Sequence, residues 1–110
     1  MQVRIWISFD LGVKGDYPGM YTWLDNHQAV ECGDGMASLL VECENRDTVE
    51  RDVLSQLEEN VNLAPSDRIY LLYRRADNMT KGSFIHGRRK ANPWEGYGYR
   101  GDVSEESDAE

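Results

Sequence analysis

The sequence predicts one α+β domain, in which two helices pack on one face of a mostly antiparallel sheet. Residues 3–9 and 68–75 alternate side chains with a period of two, which is typical of strands. Residues 49–61 repeat valine or leucine every four positions, which is typical of a helix packed on a core. With 110 residues, the chain is long enough for a single core and too short for two.

The first strand is predicted from Val3 to Phe9, with Asp10 at its end. The loop 11–15 follows, and its two glycines permit a tight turn. Asp16 is expected to cap the first helix, because a short carboxylate can accept the free amide hydrogens of the first turn. Pro18 is tolerated there, since those amides lack helical partners.

A hairpin and a second helix are predicted next. Residues 29–43 form two short strands joined at the glycine-flanked turn 33–35, with Leu40 on the opposite side from its neighbours. Asp47 followed by Glu50 resembles a capping box and would open the second helix. Its apolar stripe consists of Val49, Val53, Leu57 and Val61.

In the last part of the chain, the sequence predicts two more strands, at 68–75 and 82–88, and an irregular stretch at 90–97. The element order is that of a ferredoxin-like βαββαβ sandwich with an added C-terminal strand. Residues 1–101 form this domain. Residues 102–110 are an acidic tail, expected to be disordered because it has too little apolar surface to bury.

The net charge of −8 is unevenly distributed along the chain. Residues 1–70 hold 5 Lys/Arg against 13 Asp/Glu, whereas residues 71–101 hold 7 against 2. The overall acidity therefore hides a basic segment. A local basic face can still bind phosphate, because charges more than about 10 Å apart are largely screened at physiological salt.

Cysteine content and hydropathy indicate the cellular environment in which the protein is expected. Cys32 and Cys43 have neither zinc nor redox spacing and are expected to be reduced. No signal peptide precedes the first strand, and no apolar run reaches the roughly 18 residues of a membrane helix. These features predict a soluble, cytoplasmic protein with no membrane contact.

Asp10 is the first candidate for chemistry, because strand ends that open onto loops are where such folds place ligands. In the functional interpretation it binds Mg²⁺, which would position water and stabilise charge on a phosphoryl oxygen. In the structural interpretation it is a loop cap or a solvent-facing strand end. Asp16 and Asp34 are weaker second carboxylates, better explained as a cap and a turn residue.

Three stretches carry a resemblance to a known family: 6–10 (WISFD), 38–43 (SLLVEC) and 67–71 (DRIYL). They resemble the strands of the CRISPR adaptation integrase small subunit and of the related virulence-associated protein D ribonucleases. In those proteins the first-strand aspartate is associated with divalent metal and with phosphodiester cleavage across a dimer interface. The resemblance implies a homodimer in which Asp10 is catalytic and binds metal.

The basic segment is the second candidate site. It combines cations with the stackable rings of Trp94, Tyr97 and Tyr99, as single-strand nucleic-acid surfaces do. The alternatives are a solvated edge strand, whose charges discourage aggregation, or a patch covered by the acidic tail. The residues predicted to bind RNA or DNA are Arg74, Arg75, Lys81, Arg88, Arg89, Lys90 and Trp94.

Two functions follow from these features. The first is a small homodimeric protein of the nuclease-subunit type that engages RNA or DNA, with Mg²⁺ as the cofactor if Asp10 is catalytic. The second is a non-catalytic, phage- or defence-associated interaction or inhibitor protein, whose acidic body binds a protein partner. The acidic region 1–70 favours the second function, and the basic segment favours the first.

Overall fold

The computed structural model describes residues 1–89 and has an α+β fold, in which two helices pack against a five-stranded antiparallel sheet. The strand order is β2-β3-β1-β4-β5, so β1 is central. The elements are β1 (Gln2–Asp10), α1 (Tyr17–Asn26), β2 (Val30–Gly33), β3 (Met36–Glu42), α2 (Val49–Asn60), β4 (Arg68–Arg74) and β5 (Thr80–His86).

The core lies between the helices and one face of the sheet. Val3, Ile5 and Ile7 of β1 are fully buried, whereas the alternating Arg4 and Trp6 are exposed. This alternation confirms the predicted strand, because successive side chains of a strand point to opposite faces. Neighbouring strands contribute Leu39, Val41, Ile69 and Leu71 to the same core.

Asp16 caps α1, as predicted. Its Oδ1 accepts the amide hydrogen of Gly19 at 3.0 Å, and its Oδ2 accepts that of Asn62 at 2.8 Å. Hydrogen bonds from Asn62 and Gly19 to the carboxylate lower the pKa of Asp16 from its ordinary value. The cap therefore also fixes α1 against the segment that follows α2.

The apolar stripe of α2 is confirmed, since Val49, Val53, Leu57 and Val61 are buried. The capping-box prediction is wrong: Thr48 precedes the helix, and no side chain caps its first turn. A carboxylate inside the helix instead holds the loop between β3 and α2 in place. Asp52 accepts hydrogen bonds from the Glu44 amide and the Thr48 hydroxyl, at 2.9 and 2.7 Å.

The remaining sequence predictions have mixed outcomes. The hairpin with its turn after Gly33 is confirmed, but β5 begins at Thr80, two residues earlier than predicted. Both cysteines are free thiols. Neither helix among residues 1–89 has the length and apolar character needed to cross a membrane. The irregular stretch predicted at 90–97 and the acidic tail lie outside the described residues.

Candidate functional site

Asp10 lies at the end of β1, directly opposite Arg68 of β4. Its Oδ2 accepts a hydrogen bond from Arg68 Nη2 at 2.9 Å, and its Oδ1 accepts the Gly12 amide hydrogen at 3.1 Å. The Asp10 side chain is 47% exposed, so solvent still reaches the carboxylate. In this arrangement Asp10 joins two central strands and begins the loop to α1.

The donor set around Asp10 does not fit a divalent metal within one chain. Among residues 1–89, no group of three or more His, Cys, Asp or Glu side chains is arranged to hold an ion. Mg²⁺ prefers several oxygen ligands, and here the carboxylate is already paired with a guanidinium. The groups around Asp10 in one chain therefore do not support metal-dependent chemistry at this position.

The structure divides the predicted basic segment between the two ends of the β4–β5 hairpin. Arg74, Arg75 and Lys81 lie near the turn, whereas Arg88 and Arg89 follow the far end of β5. A seven-residue strand is roughly 23 Å long, so the two groups are well separated. Lys90 and Trp94 lie outside the described residues.

Several of these cations are engaged with partners near the turn. Lys81 Nζ forms an ion pair with Glu50 at 2.9 Å, and Arg75 forms a two-pronged ion pair with Asp77. Arg74 donates to the Asn78 side chain at 3.3 Å. These side chains are available to phosphate only if it displaces their present partners.

A large open groove lies where the end of β1, helix α1 and the β2–β3 hairpin meet. Its volume is about 910 Å³. The turn of the hairpin is held against β1 by a hydrogen bond from the Phe9 amide to the Gly35 carbonyl, at 2.9 Å. Gly35 has a φ of +67°, and a side chain there would crowd the Phe9 carbonyl. The groove therefore depends on glycine at this turn.

Three aromatic rings form one side of the groove. The Tyr21 ring lies 5.7 Å from that of Tyr17 and 6.4 Å from that of Phe9, measured between centroids. Tyr21 is 52% exposed, so its ring is accessible to a ligand. The Tyr17 hydroxyl accepts the Leu11 amide hydrogen at 3.3 Å, which orients that ring.

Four carboxylates line the same groove, of which the first is paired with Arg68: Asp10, Asp25, Glu31 and Asp34. No lysine, arginine or histidine is among the described residues that line the groove. Asp25, Glu31 and Asp34 are exposed and form no ion pair with any residue in 1–89. Such a combination of anionic groups and aromatic faces is suited to a cation.

Sequence analysis did not identify this groove as a site. Tyr17, Tyr21 and Asp25 follow one another at intervals of four, which places them on one side of α1. That spacing is the local signal that could have pointed to the groove. Glu31 and Asp34 reach the same place only through the pairing of the hairpin with β1, which has no local signal.

Comparison of the chain with protein-family models, curated proteins and solved structures finds no match. The resemblance to the integrase small subunit and the virulence-associated ribonucleases accordingly stays a prediction.

Proposed function

We propose that this protein is a non-catalytic interaction protein, which binds an arginine- or lysine-bearing segment of a protein partner in the groove. The observation that carries the proposal is the combination of an aromatic wall around Tyr21 with three carboxylates that form no ion pair among residues 1–89: Asp25, Glu31 and Asp34. This is the second of the two functions considered from the sequence. The groove supports this function, because its side chains are suited to a cationic segment.

The chemistry of the groove favours arginine over lysine. A guanidinium is planar, stacks on aromatic faces and pairs with carboxylates through two parallel hydrogen bonds. A cation over an exposed aromatic face contributes about 0.5–1 kcal/mol, and more when it is desolvated. Tyr21 offers such a face, with Asp25 one helical turn further along α1.

The partner is expected to present a basic surface. The acidic charge of residues 1–70 would accelerate its association with such a surface at low salt. Basic surfaces of this kind also bind nucleic-acid phosphates. The protein would therefore compete with nucleic acid for its partner, in keeping with a phage- or defence-associated inhibitor.

Binding of labelled oligoarginine, oligolysine and oligoglutamate peptides tests the proposal by fluorescence anisotropy. We expect oligoarginine to bind best and oligoglutamate not to bind. The groove variant combines Asp25→Asn, Glu31→Gln and Asp34→Asn. The matched control combines Asp47→Asn, Glu58→Gln and Glu59→Gln, which remove the same charge from exposed positions outside the groove.

The groove variant should lose roughly tenfold in affinity or more, because three partly screened ion pairs together reach that size. The control should change the affinity much less. Tyr21→Leu should weaken oligoarginine binding and leave the salt dependence nearly unchanged. Equal losses in the two triple variants would mean that only net charge matters, and the groove would not be the site.

A second candidate function is the nuclease-subunit type, supported by the cations at the Asp10 end of the sheet. Arg68 begins β4 at this end, and Arg88 and Arg89 follow the end of β5 that pairs with the start of β4. The test is incubation with labelled single- and double-stranded RNA and DNA, in Mg²⁺ or in chelator. Cleavage that requires Mg²⁺ and is lost in Asp10→Asn would favour an enzyme, and would require carboxylates from a homodimer partner.

The ferredoxin-like assignment belongs to the proposal as well. It is supported by the order of the two helices along the chain and by the central position of β1 between β3 and β4. The edge strand β5 corresponds to the C-terminal strand that the sequence predicts in addition to βαββαβ.

A further inference from the structure

Strand β2 lies at one edge of the sheet, directly beside the groove. Glu31 and Gly33 of this strand line the groove, and no strand among residues 1–89 pairs with its outer side. All four residues of β2 are exposed. On an edge strand, every second pair of backbone N–H and C=O groups points away from the sheet and lacks a strand partner. β2 therefore presents open hydrogen-bonding groups next to a site suited to a cation.

The register of the hairpin shows which way the side chains of β2 point. Glu31 pairs with Ala37, which is only 5% exposed in the core, so Glu31 lies on the helix-covered side of the sheet. Val30 pairs with Ser38, whose hydroxyl accepts a hydrogen bond from the exposed Arg4 on the opposite side. A strand added beyond β2 would alternate in the same way. Its side chains would lie beside Glu31 and beside Val30 in turn.

The charges of this edge select the kind of strand that can be added. Within residues 28–36 the charged side chains are those of Glu31 and Asp34, both acidic. Two copies of such an edge repel each other, whereas a basic strand is attracted. Edge strands are commonly protected by lysine or proline, and β2 contains neither. The opposite edge, β5, carries Lys81 and no carboxylate, so it offers no such attraction.

Apolar surface and strand regularity define the position of the added strand more closely. Val30 is 63% exposed, so an apolar neighbour would cover it. The pairing of β2 shifts between Glu31 and Gly33, which leaves the first part of the strand as its regular edge. Backbone hydrogen bonds would therefore form around Val30 and Glu31, and the groove would supply the remaining contacts.

We propose that the basic segment of the partner binds in extended form, as a further strand on the outer edge of β2. Arginine or lysine at every second position then points into the groove, and an apolar residue at the alternate positions covers Val30. This mode of recognition adds main-chain hydrogen bonds to the side-chain contacts of the groove. The inference rests on the proposed function, and it specifies the conformation and sequence pattern of the bound segment.

The test uses the full-length protein and a labelled peptide that alternates four arginines with four valines. Two further versions carry backbone N-methyl groups, either on the arginines or on the valines. In a paired strand, the N–H groups alternate in direction with the same period as the side chains. Only one of the two methylated series therefore blocks the contact with β2. That series should lose roughly tenfold in affinity or more, whereas the other should change by less than about twofold.

Two measurements on the protein complement the peptides. Amide hydrogen exchange followed by NMR should show that the fastest-exchanging amides of β2 slow at least about tenfold in the complex. Val30→Ser should weaken binding of the alternating peptide roughly threefold, because an apolar contact is lost. Val13→Ser is the matched control, since Val13 is fully exposed in a loop, and it should leave the affinity unchanged.

The outcomes separate this inference from the proposed function. Equal losses in the two methylated series, or unchanged exchange of the β2 amides in the complex, would overturn the added strand. If the alternating peptide still loses affinity in the groove variant, the proposed function stands without it. Failure of every cationic peptide to bind would refute the proposed function, and the added strand with it.

Discussion

Replacing Glu50 by glutamine is expected to destabilise the fold at neutral pH, because this carboxylate joins three elements. Glu50 lies on α2, and its Oε2 accepts the Tyr73 hydroxyl of β4 at 2.8 Å. The same oxygen lies 2.9 Å from Lys81 Nζ of β5. The Glu50 side chain is 31% exposed, so its charge is only partly hydrated.

Burial alone would raise the pKa of Glu50, but the contacts with Lys81 and Tyr73 outweigh it and hold the pKa below its ordinary value of 4.5. The contribution of this group to stability is therefore fully present above pH 4.5 and is lost as the pH falls through the lower, folded-state pKa. Burial, together with the Glu50 carboxylate, raises the pKa of Tyr73, which stays a donor over this range.

The expected loss of stability in Glu50→Gln depends on which interactions a glutamine side chain can still make. A glutamine oxygen still accepts from Tyr73, but this hydrogen bond is neutral and the ion pair with Lys81 is lost. Hydrogen bonds to charged groups contribute about 1.5–3 kcal/mol, and neutral ones about 0.5–1.5 kcal/mol. Because Lys81 is 37% exposed, solvent screens the pair, and the expected loss is about 1–2 kcal/mol at pH 7. The midpoint of thermal unfolding should fall by roughly 5–15 °C.

Thermal and urea unfolding followed by circular dichroism would measure this loss at a series of pH values. Glu58→Gln, an exposed substitution on the same helix, is the matched control and should leave stability nearly unchanged. The difference between wild type and Glu50→Gln should shrink below about pH 4, as Glu50 takes up its proton. A difference that is the same at pH 7 and at about pH 3 would refute the argument, because it could not come from the charge.

Two further substitutions test the backbone. Gln28, just after α1, has a φ of +54°, so Gln28→Gly should raise the free energy of unfolding by about 0.5–1 kcal/mol, whereas Gln28→Ala should not. A side chain at Gly19 would meet the Asp16 carboxylate and the Asn60 carbonyl oxygen. Gly19→Ala should therefore cost about 1–2 kcal/mol in urea unfolding despite its better helix propensity, and a stabilised variant would contradict this.

The elements that sequence predicted correctly are those in which burial follows a local period. Val3, Ile5 and Ile7 alternate because β1 has one covered face, and the α2 stripe recurs because one side of that helix meets the sheet. The capping box failed for a different reason. Several carboxylates near 44–52 could bind the same loop, and spacing alone could not show that Asp52 does so.

The candidate sites were less accessible to prediction, because they depend on pairing between distant segments. Asp10 was correctly placed at the end of a strand, but its partner Arg68 is 58 residues away. No periodicity relates them. The groove likewise needs Tyr21 from α1 and Asp34 from the hairpin, which approach each other only because β3 pairs with β1.

Pairing between distant segments also explains why the net charge of a stretch of sequence was an incomplete guide to function. Counting charges along the chain correctly located the cations in 74–89, yet Lys81 and Arg75 neutralise carboxylates of this same chain. Asp25 and Glu31 form no ion pair among residues 1–89 and border an open groove. A partner recognises charges that remain available after folding, because paired charges must first give up their existing contacts. On that criterion the carboxylates of the groove remain available to a cation, which is why we favour a basic protein partner over nucleic acid.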